Sequence, residues 1–150
     1  MVLTETTPLT DAVIAVAERS FFAWAEPGGE AGVVPADSVW HKASVSFDGD
    51  FRGRTTFSVP PSLADELFRC FLGLGPDDPV DEAALRDLLG EFANMSCGSW
   101  LTGVQGRRCF TLASPEVESN VGAPADHPTA VVMVNDQPVL IGVTLEDTGR

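Results

Sequence analysis

Positive charge is scarce in this sequence. Its 150 residues include 9 Lys and Arg against 22 Asp and Glu, which gives a formal net charge of −13 at pH 7. A chain with this balance repels phosphate backbones and anionic lipid surfaces, because it has too few cations to replace their counterions. The composition therefore argues against a nucleic-acid partner and against a role at a membrane surface.

Long apolar runs are missing as well. No stretch of the sequence approaches the roughly 20 apolar residues that a transmembrane helix needs. The amino-terminal stretch MVLTETTPLTDAV lacks the basic region that opens a signal peptide. We therefore expect no membrane partner and a cytoplasmic protein.

Metal ligands and familiar catalytic motifs are few. The three cysteines, Cys70, Cys97 and Cys109, have no CxxC spacing, and only His41 and His127 could join them at a metal. We expect reduced, mostly buried thiols and histidines without a catalytic role. The GxSxG, P-loop, GxGxxG and HExxH patterns do not occur. No cofactor or metal of the chain's own is predicted.

The periodicity of apolar residues predicts an α+β fold. Helical spacing is found over 10–25, 60–73 and 80–102, and two-residue alternation predicts a hairpin of strands over 39–47 and 51–59 with its turn at Asp48-Gly49. Further strands are predicted from 106 and on both sides of Asn135-Asp136-Gln137. Residues 26–38, rich in Pro and Gly, read as a flexible loop. We expect one domain over 1–150, a mainly antiparallel sheet with the helices packed on one face.

Single residues refine this prediction. Ser62 is a candidate N-cap of the second helix. Trp24 and Trp100 continue apolar helix faces and are predicted in the core. Trp40 falls on the other strand face and is read as a candidate interface residue.

The longest predicted helix has a row of residues that does not help it to pack against the core. Asp87, Glu91, Asn94 and Gly98 share one ridge, on the side opposite a predicted core face. That core face consists of Leu85, Leu88, Leu89, Phe92, Met95, Ser96 and Ser99. Asn and Gly are poor helix formers, Gly by about 1 kcal/mol relative to Ala, so two of the four weaken the helix. Spacing alone leaves open whether the row is functional or simply the solvated face of a helix.

The same row carries a resemblance. In DLLGEFANMSCGSWLTG, Asp87, Glu91 and Asn94 follow each other as Asp, three residues, Glu, two residues, Asn; Gly98 and, in LASPEV, Pro115 follow. This order resembles the signature helix of the CheC/CheX/FliY family of chemotaxis phosphatases, although the proline comes slightly early. The single intact motif is similar to the CheX branch, and the order of elements along the chain also agrees with it.

The resemblance implies a function and roles. It implies a phosphatase of the aspartyl phosphate on a receiver domain of the CheY type, with Asn94 orienting the attacking water and Glu91 pairing with the receiver's lysine. Asp87 would be an auxiliary contact. Gly98 would permit close approach of the receiver, although packing within the chain explains a glycine equally well. The implied metal, Mg²⁺, belongs to the receiver.

Other interpretations remain open at this stage. The chain could be a non-catalytic binding or adaptor module of the same fold, or an unrelated structural α+β domain. Members of the CheX branch tend to be dimers, so a homodimer is expected from the resemblance alone. The first helix also faintly repeats the signature helix, with Glu18 in the place of Glu91 and Phe21 in the place of Asn94.

Overall fold

The computed structural model describes residues 7–29, 34–35, 37–105 and 110–146. Three helices and seven strands lie in these ranges. The helices are α1 (Thr7–Phe21), α2 (Pro61–Leu72) and α3 (Glu82–Gln105). The strands are β1 (Ala25–Pro27), β2 (Val39–Asp48), β3 (Arg52–Val59), β4 (Thr111–Leu112), β5 (Glu116–Gly122), β6 (Ala130–Val134) and β7 (Gln137–Glu146).

All seven strands belong to one antiparallel sheet, in the order β1-β6-β7-β3-β2-β4, with β5 also paired to β2. The two predicted hairpins are present. The β2–β3 turn follows Asp48, and the β6–β7 turn consists of Asn135 and Asp136, both with positive φ (48° and 64°). Two such residues in succession are typical of the tight turn that matches the twist of a hairpin.

The helices pack on one face of the sheet. Inward side chains of β2, such as Ala43, Val45 and Phe47, join the buried residues of all three helices in one core cluster. A small second cluster, with Trp40, Val131 and Leu140, contains no helical residue and lies on the other strand face. The predicted α+β fold with helices on one face is confirmed. Trp100, 1% exposed, lies in the core as predicted.

The first helix is shorter than predicted at its C-terminus, and this corrects Trp24. α1 ends at Phe21, because Phe22 adopts a left-handed conformation (φ 56°) and the N–H of Ala23 donates to the carbonyl of Ala17 at 3.0 Å. The chain turns before residue 24 can continue the apolar face. Trp24 is therefore 68% exposed and not a core residue.

The cap of the second helix is also corrected. Pro60 occupies the N-cap position of α2, followed by Pro61 in the first turn. Ser62 lies inside the helix, and its hydroxyl donates to Oε1 of Gln137 at 2.7 Å. Ser62 thus joins α2 to the start of β7 instead of capping the helix.

The predicted loop at 26–38 begins with a strand. Glu26 and Pro27 belong to β1, which pairs with β6 at one edge of the sheet. Residues 30–33 and 36 of this loop lie outside the described residues. The strand expected from 106 is also shorter than predicted: residues 106–109 are outside the described ranges, β4 is only Thr111–Leu112, and β5 begins after Pro115. Proline cannot donate to a ladder, so it separates the two strands.

The cysteines and His41 take different positions. Cys97 is buried, but Cys70 is exposed, contrary to the prediction for it; Cys109 lies outside the described residues. His41 is 6% exposed, and its Nδ1 accepts a hydrogen bond from the N–H of Asn120 at 3.2 Å. This bond lies at the point where the β2–β5 pairing shifts register. Among the described helices, none is both long and apolar enough to cross a membrane.

Candidate functional site

The polar row of α3 lies on the outer side of the helix. Asp87 and Glu91 are exposed, whereas Asn94 and Gly98 are half-buried. Asp81 begins the helix, since its Oδ1 accepts a hydrogen bond from the N–H of Ala83 at 3.1 Å. Regular helical geometry then places the row on one ridge, each residue three or four positions from the next.

The core face of α3 differs from the predicted one. Ala93 and Cys97 are buried, while Ser99 is exposed, and Leu88 and Met95 are only half-buried. The buried face is thus rotated by about 90° around the helix axis from its predicted position. It borders the ridge at Asn94 instead of lying opposite to it.

A segment alongside the ridge brings Pro115 to the site. Residues 112–117, here called the flanking segment, run from β4 to β5 alongside α3. A Cβ atom built on Gly90 would lie 3.1 Å from Cγ of Pro115. The guanidinium Nη2 of Arg86 donates to the carbonyl oxygen of Val117 at 2.6 Å. The structure therefore places the predicted proline beside the predicted helix.

A groove separates the ridge from the flanking segment. Its volume is about 390 Å³. Its lining consists of Arg86, Asp87, Gly90, Glu91, Pro115 and Val117. Two carboxylates and one guanidinium stand around a floor of glycine, proline and valine. The arrangement suits a side chain of a partner protein, because apolar area and both signs of charge are presented together.

Among the residues that the structure describes, the polar groups of the ridge have no competing partners. Within the described ranges, the side chains of Asp87, Glu91 and Asn94 make no hydrogen bond or ion pair. A carboxamide offers one acceptor and two donor hydrogens. Asn94 therefore keeps its full hydrogen-bonding capacity for a water or a partner, and Glu91 keeps its charge for a cation.

Gly98 has a different environment from Gly90. A Cβ atom on Gly98 would meet only Cδ1 of Leu112, at the ordinary contact distance of 3.6 Å. Packing within the chain therefore favours a glycine at 90, where the ring of Pro115 would have to shift by a few tenths of an ångström to admit a side chain, but not at 98. Of the two explanations given for Gly98 above, internal packing is the weaker.

Three residues of this site were missed in the sequence: Arg86, Gly90 and Val117. Gly90 gave a signal that could have been used, because it is a second glycine within the same motif window. Arg86 and Val117 gave none, since their hydrogen bond joins residues 31 positions apart.

The first helix has no second copy of this site. At the position aligned with Asn94, Phe21 is 2% exposed, and its ring lies 5.4 Å from that of Phe92 between centroids. Glu18 is exposed but has no amide beside it. The described part of the chain thus has one such ridge.

Among the described residues, neither a metal cluster nor a second recess offers an alternative to this site. In the described portion of the chain, no group of three or more His, Cys, Asp or Glu side chains could hold a metal ion. A recess of about 360 Å³ lies between the sheet and residues 122–129, and it contains none of the motif residues. Burial raises the pKa of the Cys97 thiol, which therefore stays protonated in the core.

Comparison with known proteins supports the assignment of the fold. A crystal structure of a chemotaxis protein CheX from Desulfovibrio desulfuricans has a TM-score of 0.73 and 21% identity, over 94% of this chain and 98% of that one. A chemotaxis protein structure from Desulfovibrio vulgaris Hildenborough also has a TM-score of 0.73, with 22% identity over 94% and 96% of the two chains. At these identities the similarity shows the fold.

A third similar structure is a complex. The crystal structure of CheX with CheY, BeF₃ and Mg²⁺ from Borrelia burgdorferi matches with a TM-score of 0.67 and 17% identity, over 93% of this chain and 96% of that one. A search of curated proteins found no match. A model of the family described as chemotaxis phosphatase CheX matches residues 42–136, well over half of the sequence and including the whole of α3. The chain therefore belongs to the CheX family of chemotaxis phosphatases.

Proposed function

We propose that this protein accelerates the hydrolysis of the aspartyl phosphate on a receiver domain of a response regulator. One observation carries the proposal: Glu91 and Asn94 lie one turn apart on a single outer ridge, and neither side chain has a partner within the described residues. Membership of the CheX family and the likeness to a CheX that forms a complex with CheY support it.

Asn94 orients the attacking water. In this reaction a water oxygen attacks phosphorus as the bond to the aspartate oxygen breaks, which releases inorganic phosphate and restores the receiver's carboxylate. The receiver's own Mg²⁺ and cationic groups neutralise the phosphoryl charge, so the second protein contributes chiefly position. A neutral amide can accept a water proton in a hydrogen bond without bringing negative charge to the phosphoryl group.

Glu91 fixes the ridge over the phosphoryl group. A carboxylate without a partner among the described residues, one turn before Asn94, is suited to the charge of a receiver lysine, and the pair becomes largely desolvated in the complex. Asp87, one turn earlier, adds a contact at the edge of the ridge. Gly98 leaves the helix backbone open to close approach, and Pro115 forms the far side of the groove.

A phosphate-release assay tests the proposal. Phosphorylated, Mg²⁺-saturated receiver domains should lose phosphate faster when substoichiometric protein is added, since a catalyst turns over. Asn94→Ala should reduce the acceleration by about 10²-fold or more, the size expected when a reacting group loses its position. Ser99→Ala, which changes an exposed polar residue on another side of α3, is the matched control and should keep full activity.

The result separates a phosphatase from an adaptor. Stable binding of the receiver without faster phosphate loss would identify a non-catalytic docking module and refute catalysis. Equal activity of wild type and Asn94→Ala would refute the role of Asn94. With a receiver domain as its target, the protein is proposed to act in the cytoplasm, and a homodimer stays a prediction that sedimentation equilibrium measures directly.

A further inference from the structure

The flanking segment follows one row of α3 closely. Arg86, Gly90, Asn94 and Gly98 are spaced by four residues, and three of them meet residues 112–117. A Cβ on Gly98 would contact Leu112, a Cβ on Gly90 would contact Pro115, and Arg86 donates to the backbone carbonyl of Val117. The segment therefore runs antiparallel to the helix, with Asn94 between the contact at Gly90 and the contact at Gly98.

The length of α3 between Gly90 and Gly98 agrees with the length of the flanking segment between Pro115 and Leu112. The eight residues from Gly90 to Gly98 rise by roughly 12 Å along a helix. The three residues from Leu112 to Pro115 span roughly 10 Å of extended chain. The line along which the flanking segment lies against α3 is here called the seam. Asn94 lies at its middle, between the neighbours at Gly90 and Gly98, and this position accounts for the half-burial of Asn94 beside the exposed Glu91.

The contacts differ in what they fix. At Gly90 and Gly98 the neighbours in the segment are the apolar side chains of Pro115 and Leu112, which limit how closely the segment can approach the helix but permit sliding. Within the described ranges, the bond from Arg86 to Val117 is the one hydrogen bond between α3 and the flanking segment. A short, directional bond from a charged donor fixes the position along the helix as well.

We propose that Arg86 is a positioning residue of the phosphatase site: its hydrogen bond to the carbonyl of Val117 holds the flanking segment in register with the ridge. The inference rests on the proposed function. If the segment moved, Pro115 would move with it and the groove beside Glu91 would lose its shape. The receiver would then dock less well, while Asn94, on the helix itself, would still orient water once docking occurred.

The test compares variants of the full chain in steady-state kinetics with phosphorylated receiver as substrate. Arg86→Met removes the donor and should raise KM for the receiver by about tenfold with kcat changed less than about twofold. Arg69→Met is the matched control, because Arg69, on α2, is likewise a helix arginine that donates to a backbone carbonyl, that of Asp78 at 2.9 Å. It should leave both constants unchanged.

Hydrogen exchange separates positioning from a direct charge contact with the receiver. In the free protein, Arg86→Met should speed amide exchange within residues 112–117. Arg86→Lys keeps the charge and one donor arm, and its KM and exchange should return towards wild type together. Restoration of KM by Arg86→Lys with exchange still fast would overturn the positioning role in favour of a charge contact.

Failure of this inference is distinct from failure of the proposed function. Asn94→Ala is assayed in parallel. If Asn94→Ala loses activity but Arg86→Met keeps wild-type KM, the positioning role alone is refuted. An equal rise of KM in Arg69→Met would also refute it, since the effect would then follow net charge and not the seam. If wild type gives no acceleration at all, the proposed function fails, and Arg86 has no site to position.

Discussion

Pro115 lies directly over Gly90, so close that a Cβ atom on residue 90 would sit 3.1 Å from the Cγ atom of the proline ring. Two residues 25 positions apart are thus in contact because α3 presents no side chain at that point. The contact brings the proline of the motif to the same groove as Glu91. It also separates two glycines that look alike in the sequence, Gly90 and Gly98.

The first prediction concerns these two glycines and the free energy of unfolding. Gly98→Ala should stabilise the isolated protein by about 0.5–1 kcal/mol, because alanine is the better helix former and the new methyl group makes an ordinary contact with Leu112. Gly90→Ala should show no such gain, since Pro115 and its neighbours must move. Urea unfolding followed by circular dichroism measures both.

The same pair tests why residue 98 is a glycine. If the receiver packs on the bare helix there, Gly98→Ala should be more stable yet a poorer phosphatase, with KM raised several-fold. Full activity in the stabilised variant would contradict a close approach at Gly98. Gly90→Ala should lose activity through the displaced proline without any gain in stability.

The second prediction concerns binding by Glu91. Glu91→Gln should weaken binding to the receiver by roughly 30-fold or more, the cost of leaving a charge unpaired in an interface. The affinity is measured with Mg²⁺-loaded receiver carrying beryllofluoride in place of the phosphoryl group. Glu18→Gln, which changes the exposed glutamate of α1 at the aligned position, is the control and should bind as wild type.

Charge exchange makes this prediction sharper. Glu91→Lys should abolish binding, and replacing the active-site lysine of the receiver by glutamate should restore part of it. Rescue would identify the two groups as partners. Equal weakening by Glu18→Gln and Glu91→Gln would instead point to the overall negative charge and contradict a specific pair.

Local chemistry explains which parts of this fold were predictable. The turns at Asp48-Gly49 and Asn135-Asp136 were found because the residues that a tight turn requires stand next to each other in the sequence. The outward row Asp87, Glu91 and Asn94 was found for a similar reason, since helical spacing alone places them together.

Features that depend on distant residues were not predictable. The core face of α3 was misplaced because Ala93 and Cys97, small and weakly apolar, are buried in the core by packing against other elements, which no local pattern encodes. The partner of Arg86 was missed for the same reason. Trp24 was misjudged because Phe22, directly after α1, adopts a left-handed conformation. Phenylalanine rarely does so, and nothing in the local sequence predicts it.

The third prediction concerns the turn residue Asn135. Its Oδ1 accepts from the N–H of Trp24 at 2.9 Å, and its Nδ2 donates to Oε1 of Glu66 at 3.0 Å, so it ties β1 and α2 to the β6–β7 hairpin. Asn135→Ala should lower the free energy of unfolding by about 2–3 kcal/mol, because it loses both bonds and places a Cβ-bearing residue without local bonding at φ 48°.

Glycine variants separate the two causes. Asn135→Gly removes the side-chain bonds but suits the positive φ, so its loss should be about 1–2 kcal/mol, smaller than that of alanine. Asp136→Gly is the control at the neighbouring position, where φ is 64° and the side chain is exposed; it should be neutral or slightly stabilising. Equal losses in the alanine and glycine variants of Asn135 would contradict a cost from backbone conformation.

The fourth prediction concerns pH and His41. Burial lowers the pKa of His41 below its ordinary value of 6.5, and the charges of Asp65 and Glu82 oppose this effect only in part. The unfolded chain therefore binds a proton at His41 more readily than the folded protein does. By linkage, the contribution of His41 to stability is present above about pH 6.5 and is lost as the pH falls below it.

The structure gives this loss a location. Protonated histidine carries hydrogens on both ring nitrogens, so Nδ1 can no longer accept from the N–H of Asn120, and the register shift between β2 and β5 loses its bond. Urea unfolding at pH 7.5 and 5.5 should show a fall in stability that is smaller in His41→Gln, whose side chain does not titrate. The protection factor of the Asn120 amide, which corrects for the slower intrinsic exchange at lower pH, should fall at pH 5.5 in wild type only. The same fall in both proteins would assign the pH dependence to the many carboxylates of this acidic chain and not to His41.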